Sequence, residues 1–208
     1  MKEYPILFSA PMVRAILQGR KTMTRRIAKM PYIRAGLGNC DGQATRLVAH
    51  PNGLVHAMND FDGHKLMECP YGLPGDRLWV RETWQVTDWI HPSNDEWGYI
   101  YRADTENAEA WESSDPDWKW RPSIHMPRAA SRILLEVVDV RVERLQDISE
   151  ADAIAEGVEI TPIWKGPGDV YPSDPVKDFS TLWQSINGPE SWEQNPWVWV
   201  VEFKRINP

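Results

Sequence analysis

The stretch GRKTMTRR, residues 19–26, separates a helical pattern from a strand pattern and decides how the fold is interpreted. Before it, YPILF at residues 4–8 is typical of a strand. A short amphipathic helix with a proline in its first turn should follow, and Gly19 should end it. Lys21 and Thr24 are therefore expected just past a helix end, on a loop or at the start of the next strand, where a rigid scaffold often holds functional groups.

The same stretch lies within a basic segment of an acidic protein. Residues 4–40 contain seven Lys and Arg and no Asp or Glu, whereas the 208-residue chain has a formal net charge of −7. The remainder of the chain therefore carries about −14. Such a local field attracts a polyanion or a phosphorylated small molecule even where the net charge would repel it. A solvated basic face without a ligand explains the charges equally well.

Length and composition favour one domain over residues 1–208. Seven of the twelve Trp residues fall between residues 79 and 120, and they are typical either of a core or of a platform on which bases stack. Two Cys do not make a disulfide framework. The N-terminus lacks a signal-peptide pattern and no apolar run approaches 18 residues, so we expect a cytoplasmic protein without a membrane partner. No sequence feature sets an oligomeric state.

Strand patterns dominate the rest of the chain. Alternating or continuous apolar residues predict strands at 77–82, with Leu78 and Val80 buried, at 131–144, with Val138, Val140 and Val142 buried, and at 197–203. A hairpin is predicted at 44–58, helices at 149–156 and 179–186, a loop at 161–178, and an insertion at about 88–122 with one strand at 98–102. About six short strands with dispersed helices indicate an α+β fold built on a small curled β-barrel.

Lys21 and Thr24 are candidates for chemistry because of their neighbours. Arg20, Arg25 and Arg26 surround Lys21 with like charge, and partial burial would lower its pKa far enough for the neutral amine to act as a base. A nearby threonine hydroxyl is a latent nucleophile that needs such a base. A solvated lysine beside a strand threonine is the simpler interpretation of the spacing.

Glu156 falls in the last turn of its predicted helix. A carboxylate there opposes the helix dipole, which destabilises the charged form and raises the carboxyl pKa, as suits a proton donor. A surface glutamate at a frayed helix end is the alternative.

Other polar residues give weaker indications. Cysteine and histidine spacings match no usual zinc pattern, so neither a metal nor a cofactor is expected. His125 and Arg128 precede the long strand and could contact a phosphate or a base, although a structural histidine is the simpler interpretation.

Five segments in chain order resemble the ASCH domain, a branch of the PUA-like β-barrels: 16–26, 75–80, 135–144, 149–157 and 198–203. The chain looks most like the long, Trp-rich ASCH proteins of phages and prophages, which for a phage protein implies the host cytoplasm. The segments 122–132 and 195–199 are also typical of that subgroup.

The resemblance implies an activity, because small bacterial members of the family include N4-acetylcytidine amidohydrolases. By motif, Lys21 becomes the proton acceptor, Thr24 the nucleophile and Glu156 the proton donor. The residues expected to bind the modified nucleoside or RNA are Arg20, Arg26, Trp79, His125 and Arg128. The alternative is a non-catalytic RNA- or nucleic-acid-binding module. The small enzymes are about half this length, and residues 40–69 and the insertion have no counterpart in them.

Overall fold

We describe the fold from a computed structural model, which covers residues 1–33, 42–49, 54–59, 64–90, 97–105, 119–160, 162–166 and 169–206. In these residues the strands β1–β14 are Glu3–Leu7, Met23–Ile27, Tyr32–Ile33, Gly42–Gln43, Arg46–Ala49, Val55–Met58, His64–Met67, Arg77–Arg81, Trp84–Ile90, Trp97–Tyr101, Leu134–Arg144, Pro162–Gly166, Asp169–Pro172 and Trp197–Ile206. The helices α1–α3 are Ala10–Leu17, Glu150–Ala155 and Pro175–Asn187. The fold is α+β, with a core made mostly of sheet.

A five-stranded sheet in the order β1-β8-β11-β14-β2 forms the centre of the molecule. β1 and β8 pair in parallel, and the other neighbours pair antiparallel. Four smaller groups surround it: β3 with β4, β5 with β6 and β7, β9 with β10, and β12 with β13. The hairpin predicted at 44–58 is confirmed by the pairing of β5 with β6, although its turn lies outside the described residues.

The predicted closed barrel is not formed by the described strands. β1 and β2 are the two edges of the central sheet and do not pair with each other. Where they approach, a side chain spans the gap: Arg26 Nη2 donates to the Leu7 carbonyl at 2.6 Å, and the Arg26 guanidinium lies 5.3 Å from the Phe8 ring centre. Side-chain contacts therefore join β1 and β2, where a closed barrel would need backbone hydrogen bonds between the two strands.

Each face of the central sheet is covered differently. One face packs against α1, where Val13 and Ile16 join Leu78 and Val80 in the larger apolar cluster. On the opposite face, α2 and α3 cover β14 and β2, and Val198 and Val200 pack against Phe179 and Trp183. β14 is thus buried on both sides, as its apolar run predicted.

A β-bulge changes which side chains of β11 face the core. Val137 and Asp139 pair with the consecutive residues Phe203 and Glu202, so Val138 is an extra residue in the strand. Leu135, Val137 and Val140 are buried as a result, whereas Val138 is 49% exposed. The prediction that Val138 is buried was wrong, because strict alternation assumes an unbroken ladder.

The segment predicted as a loop at 161–178 was also misjudged. Two of its stretches pair as the antiparallel hairpin β12–β13, and α3 begins at Pro175, four residues before the predicted start. Asp174 caps this helix by accepting hydrogen bonds from the backbone of Val176 and Lys177. Aspartate followed by proline is a recognised helix start, but the four prolines of this stretch had favoured a loop.

Most of the remaining local predictions are confirmed. α1 begins after Ser9 and ends before Gly19, whose φ is 73°. The strand expected at 98–102 is β10, and the rest of the predicted insertion lies largely outside the described residues. None of the described helices is both long and apolar enough to cross a membrane.

Candidate active site

The turn after α1 forms the C-terminal cap of α2. Arg20 Nη1 donates to the Gly157 carbonyl at 3.1 Å, Lys21 Nζ to the Glu156 carbonyl at 2.8 Å, and the Thr22 backbone N–H to the Ala155 carbonyl at 2.9 Å. Three consecutive residues therefore satisfy three carbonyls at the end of the helix, which otherwise lack partners. This long-range contact explains why residues 19–26 matter so much to the fold.

Gly157 allows this close approach. Its φ of 86° lies in the left-handed region, and an added Cβ would lie 2.9 Å from Lys21 Cβ and 3.0 Å from Ala15 Cβ. Both the backbone conformation and the available space therefore require glycine here. The helix stop predicted at Gly157 thus also brings Glu156 onto Lys21.

Lys21 and Glu156 form a buried ion pair. Lys21 Nζ lies 2.7 Å from Glu156 Oε2, and their side chains are 0% and 5% exposed. The same nitrogen also donates to the Glu156 carbonyl and, at 2.7 Å, to the Met23 carbonyl. Three acceptors match the three hydrogens of a charged ammonium group. Burial nevertheless lowers the Lys21 pKa, against the opposing effect of the Glu156 carboxylate.

Arg25 holds the other oxygen of the Glu156 carboxylate. Its Nη1 lies 3.4 Å from Glu156 Oε1, while Nη2 donates to Asp152 Oδ2 at 2.7 Å and Nε to Glu143 Oε1 at 3.0 Å. Arg141 Nη2 reaches the same Asp152 oxygen at 2.9 Å. The Arg25 side chain is fully buried, so its guanidinium holds three carboxylates from the protein side, of which Glu143 and Asp152 stay partly exposed.

These pairs match three of the seven cations of the basic segment with carboxylates. Lys21 is matched by Glu156, Arg25 by Glu143 and Asp152, and Arg20 lies 3.5 Å from Glu159. The expectation that residues 19–26 present a positive field to a polyanion is therefore weakened, because carboxylates from residues 143–159 compensate it. A count of charges along the sequence could not reveal this pairing.

A cleft of about 60 Å³ lies beside the ion pair, where β2, α1, α2 and α3 meet. Its lining residues are Met12, Thr24, Arg25, Arg26, Ile27, Glu156, Phe179, Leu182, Trp183, Ile186 and Asn187. Thr24 and Glu156 thus share this cavity, and Lys21 lies directly behind Glu156. No residue in the described part of the chain hydrogen-bonds the Thr24 hydroxyl, so it is not hydrogen-bonded to Lys21 in this geometry.

Two hydrogen-bond donors of lining residues also lack protein acceptors. Arg26 Nε and Trp183 Nε1 are buried, and neither has an acceptor within the described ranges. A buried N–H without an acceptor is destabilising, so each is a candidate to bind an oxygen atom of a ligand. Arg26 was expected to bind substrate, whereas the sequence analysis did not identify Trp183.

The other predicted binding residues lie elsewhere. Arg20 caps α2 and does not line the cleft. Trp79, His125 and Arg128 are also absent from its lining: Trp79 lies on β8, two strands away from β14, and the other two lie on short turns near it. The structure therefore does not bring these four residues to the cleft, since proximity across the sheet is not visible in the sequence, and their role in binding stays a prediction.

The wall that the sequence analysis missed belongs to α3. Phe179, Leu182, Trp183 and Ile186 recur at the spacing of one helical face and line the cleft. The apolar periodicity was visible, and it predicted the helix, but it did not indicate a ligand. No group of His, Cys, Asp and Glu in the described residues is arranged to hold a metal ion.

Comparison with known proteins gives no assignment: no family model, no curated protein and no solved structure matches this chain.

Proposed function

We propose that the chain is a PUA-like protein of the ASCH type that hydrolyses the amide of N4-acetylcytidine or of a related acylated nucleoside. The supporting observation is the buried Lys21–Glu156 pair, with a 2.7 Å contact, beside a cleft that Thr24 also lines. The order of matching segments along the chain adds support from the sequence.

The ion pair supplies both an acid and a base. Moving one proton from Lys21 Nζ to Glu156 Oε2 along their hydrogen bond yields a neutral amine and a carboxylic acid. Burial lowers the Lys21 pKa, which reduces the cost of this transfer. The two residues then have the roles that the sequence resemblance implies, with Lys21 as proton acceptor and Glu156 as proton donor.

Hydrolysis then proceeds in two steps. Lys21 takes the proton of the Thr24 hydroxyl as its oxygen attacks the amide carbonyl carbon, and Glu156 protonates the departing N4 amine, which leaves cytidine and a Thr24 ester. Water then attacks the ester carbonyl and gives a proton to Glu156, while Lys21 returns its proton to the departing Thr24 oxygen, which releases the acid and restores the threonine and the starting pair. Because Lys21 and Thr24 are not hydrogen-bonded in this geometry, their contact must form with substrate bound.

The cleft and its unpartnered donors suit an acyl group. A volume of about 60 Å³ corresponds to roughly four to six waters, which is the size of an acetamide group and well short of a whole nucleoside. The carbonyl would lie near Arg26 Nε and Trp183 Nε1, whose N–H groups can stabilise the negative oxygen of the tetrahedral intermediate. The apolar face of α3 would contact the acyl methyl group.

A nucleoside assay tests the proposal. Purified protein is incubated with N4-acetylcytidine, and cytidine release is measured for the wild type, Lys21→Ala, Thr24→Ala and Glu156→Gln. Each variant should lose most of the rate, and the losses should be similar because the residues act as a unit. Thr22→Ala is the matched control, because Thr22 is an exposed threonine two positions away.

Two results would count against this function. One is full activity in folded Thr24→Ala, which would remove the nucleophile. The other is no release by the wild type across a panel of acylated cytidines. The alternative, a binding module centred on the basic segment, has less support because carboxylates pair with its cations.

A further inference from the structure

Arg25 occupies a position in β2 where an apolar residue is expected. In the β2–β14 register it lies opposite Val200, which packs against Phe179 and Trp183. Met23, two positions earlier on the same face of β2, belongs to the same apolar cluster. The Arg25 side chain is nevertheless charged and fully buried. Burying a charge costs free energy unless partners compensate it, and a local rule broken in this way is typical of a functional position.

Arg25 is anchored on one side and reaches Glu156 on the other. Its Nε and Nη2 both donate to Glu143 Oε1, and Nη2 also donates to Asp152 Oδ2. Nη1 is thereby held 3.4 Å from Glu156 Oε1, while Lys21 Nζ donates to Oε2 of the same carboxylate at 2.7 Å. Two cations therefore hold the Glu156 carboxylate from its two oxygens, and one of these cations is itself held by two other carboxylates.

A fixed positive charge at this place changes which proton state of the Lys21–Glu156 pair is favoured. The ion pair holds one proton. A cation beside Oε1 stabilises the carboxylate and repels the ammonium group, so it favours loss of that proton as the pH rises. Burial lowers the Lys21 pKa most, against the opposing effect of Glu156, and the neighbouring guanidinium groups lower it further. The carboxylates that anchor Arg25 act in the opposite direction, because they offset its charge.

We propose that Arg25 is a positioning residue that holds Glu156 against Lys21 and sets the pH at which this pair loses its proton. Glu143 and Asp152 tune the effect, because they hold Arg25 in place and offset its charge. The active pair of the mechanism above holds that proton, so Arg25 also sets the upper limit of the pH range of activity. This last statement rests on the proposed function, whereas the effect on the pair concerns the protein alone.

The other charged groups near the pair stay constant when Arg25 is changed. Among the described residues, those around the pair and around Arg25 are Arg26 on β2, Tyr71 beside Arg26, Asp152 on α2, and Glu143 and Arg141 on β11. The residues by which α1 and α3 line the cleft are uncharged. Because Arg26 is retained in every variant below, a change in the titration of the pair reports Arg25 and its anchors.

Lysine NMR tests the effect on the pair without any substrate. The protein is labelled with ¹³C at lysine Cε, and the Lys21 signal is assigned by its loss in Lys21→Met and followed as the pH is raised. In Arg25→Gln the titration midpoint should move to higher pH by about one pH unit, because a nearby cation is removed. In Glu143→Gln it should move to lower pH, because less negative charge offsets Arg25. Arg25→Lys, which keeps the charge, should stay closer to the wild type than Arg25→Gln.

Two matched substitutions are the controls. Glu136→Gln removes a carboxylate from the strand that carries Glu143, but Glu136 pairs with Lys204. Arg46→Gln makes the same change as Arg25→Gln at an exposed arginine on β5. Neither control should move the Lys21 midpoint, because neither residue contacts Arg25 or the pair.

Unchanged midpoints in the Arg25 and Glu143 variants would overturn the proposal, and so would an equal movement in the controls. Circular dichroism checks that each variant is folded. If Arg25→Gln does not fold, Glu143→Gln decides the outcome, because Glu143 is partly exposed and Asp152 still holds Arg25.

The pH dependence of kcat/KM for N4-acetylcytidine separates this proposal from the proposed function. This ratio reports the groups of the free enzyme, so its alkaline limb should move in each variant by the same amount as the NMR midpoint. Midpoints that move while the wild type releases no cytidine would uphold the role of Arg25 and refute the proposed function. Cytidine release with midpoints that do not move would refute only the role of Arg25.

Discussion

Arginines beside the cleft and on β8 differ in what surrounds them. Arg25, beside the cleft, is fully buried and contacts carboxylates of Glu143, Asp152 and Glu156. Arg81, on β8, lies over Trp79 and keeps a buried Nε without an acceptor in the described part of the chain. Residue type is the same, but one guanidinium is saturated by the protein and the other is not.

This difference distinguishes an arginine that supports a site from an arginine that can contact a ligand. A buried arginine with three carboxylates stabilises their arrangement and has little capacity left for a substrate. An arginine with unused donors near an aromatic ring can still bind an external anion. The cations of the basic segment that pair with carboxylates are of the first kind. They hold the walls of the cleft in place and are therefore less available to a polyanion.

The largest effect should come from Lys21→Arg. Arginine keeps the positive charge beside Glu156 but cannot release its proton at neutral pH, so it cannot act as a base. Because general base catalysis contributes about 10²–10⁴-fold, kcat for N4-acetylcytidine should fall by about that factor. Arg46→Gln should leave kcat unchanged. A Lys21→Arg enzyme with wild-type kcat would show that the ammonium group only caps α2.

The same substitution at two arginines should have unequal effects on stability. Arg25→Gln leaves three carboxylates around an uncharged side chain and should lower the free energy of unfolding by about 3–5 kcal/mol. Arg81→Gln loses a partly exposed contact with Trp79 and should lower it by about 1 kcal/mol or less. Urea unfolding measures both. Equal losses would contradict the distinction between the saturated and the available guanidinium.

The pH dependence of kcat should follow Lys21. Burial lowers its pKa below 10.5, and the neutral amine is the active form. The active pair of neutral Lys21 and protonated Glu156 holds one proton, as the ion pair does, so the rate should be level below the lowered pKa and fall about tenfold per pH unit above it, where that proton is lost. Between that pKa and 10.5 the unfolded chain binds more protons than the native state, so stability should rise with pH.

Lys21→Met is the control for the pH dependence of stability, because it removes this titration. If the wild type and Lys21→Met show the same change of stability with pH, the shift is not due to Lys21.

The smallest effect should be the coupling between Glu3 and Arg128. Their side chains are 39% and 46% exposed, and Arg128 holds the Glu3 pKa below its usual value. A double-mutant cycle on stability should give about 0.2–1 kcal/mol, and 1 M salt should remove most of it. A large coupling that does not change with salt would contradict the description of Glu3 and Arg128 as an exposed, screened ion pair.

Local sequence chemistry predicted the elements that bring Lys21 and Glu156 together. Gly19 ended α1, Ser149 capped α2 through its contact with the Asp152 backbone N–H, and Gly157 ended α2. Each of these helix ends depends on residues within one helical turn, so the local pattern and the cap residues were enough to predict it.

What the sequence did not reveal depends on distant partners. Arg25 lies 118 residues from Glu143 and 127 from Asp152, and nothing local indicates which carboxylate an arginine will contact. The bulge at Val138 and the open edge between β1 and β2 likewise follow from pairing across the sheet. Trp79 and Arg128 were predicted to bind a ligand, but the sequence could not show that they lie outside the cleft.

Acylation of the Thr24 oxygen is the step that the proposed function requires most directly. Wild-type protein mixed with excess N4-acetylcytidine and quenched in acid during turnover should carry one acetyl group on the peptide containing Thr24, as measured by mass spectrometry. Thr22→Ala should carry the same adduct, and Thr24→Ala should carry none. Cytidine release that continues in Thr24→Ala without any adduct would contradict the account.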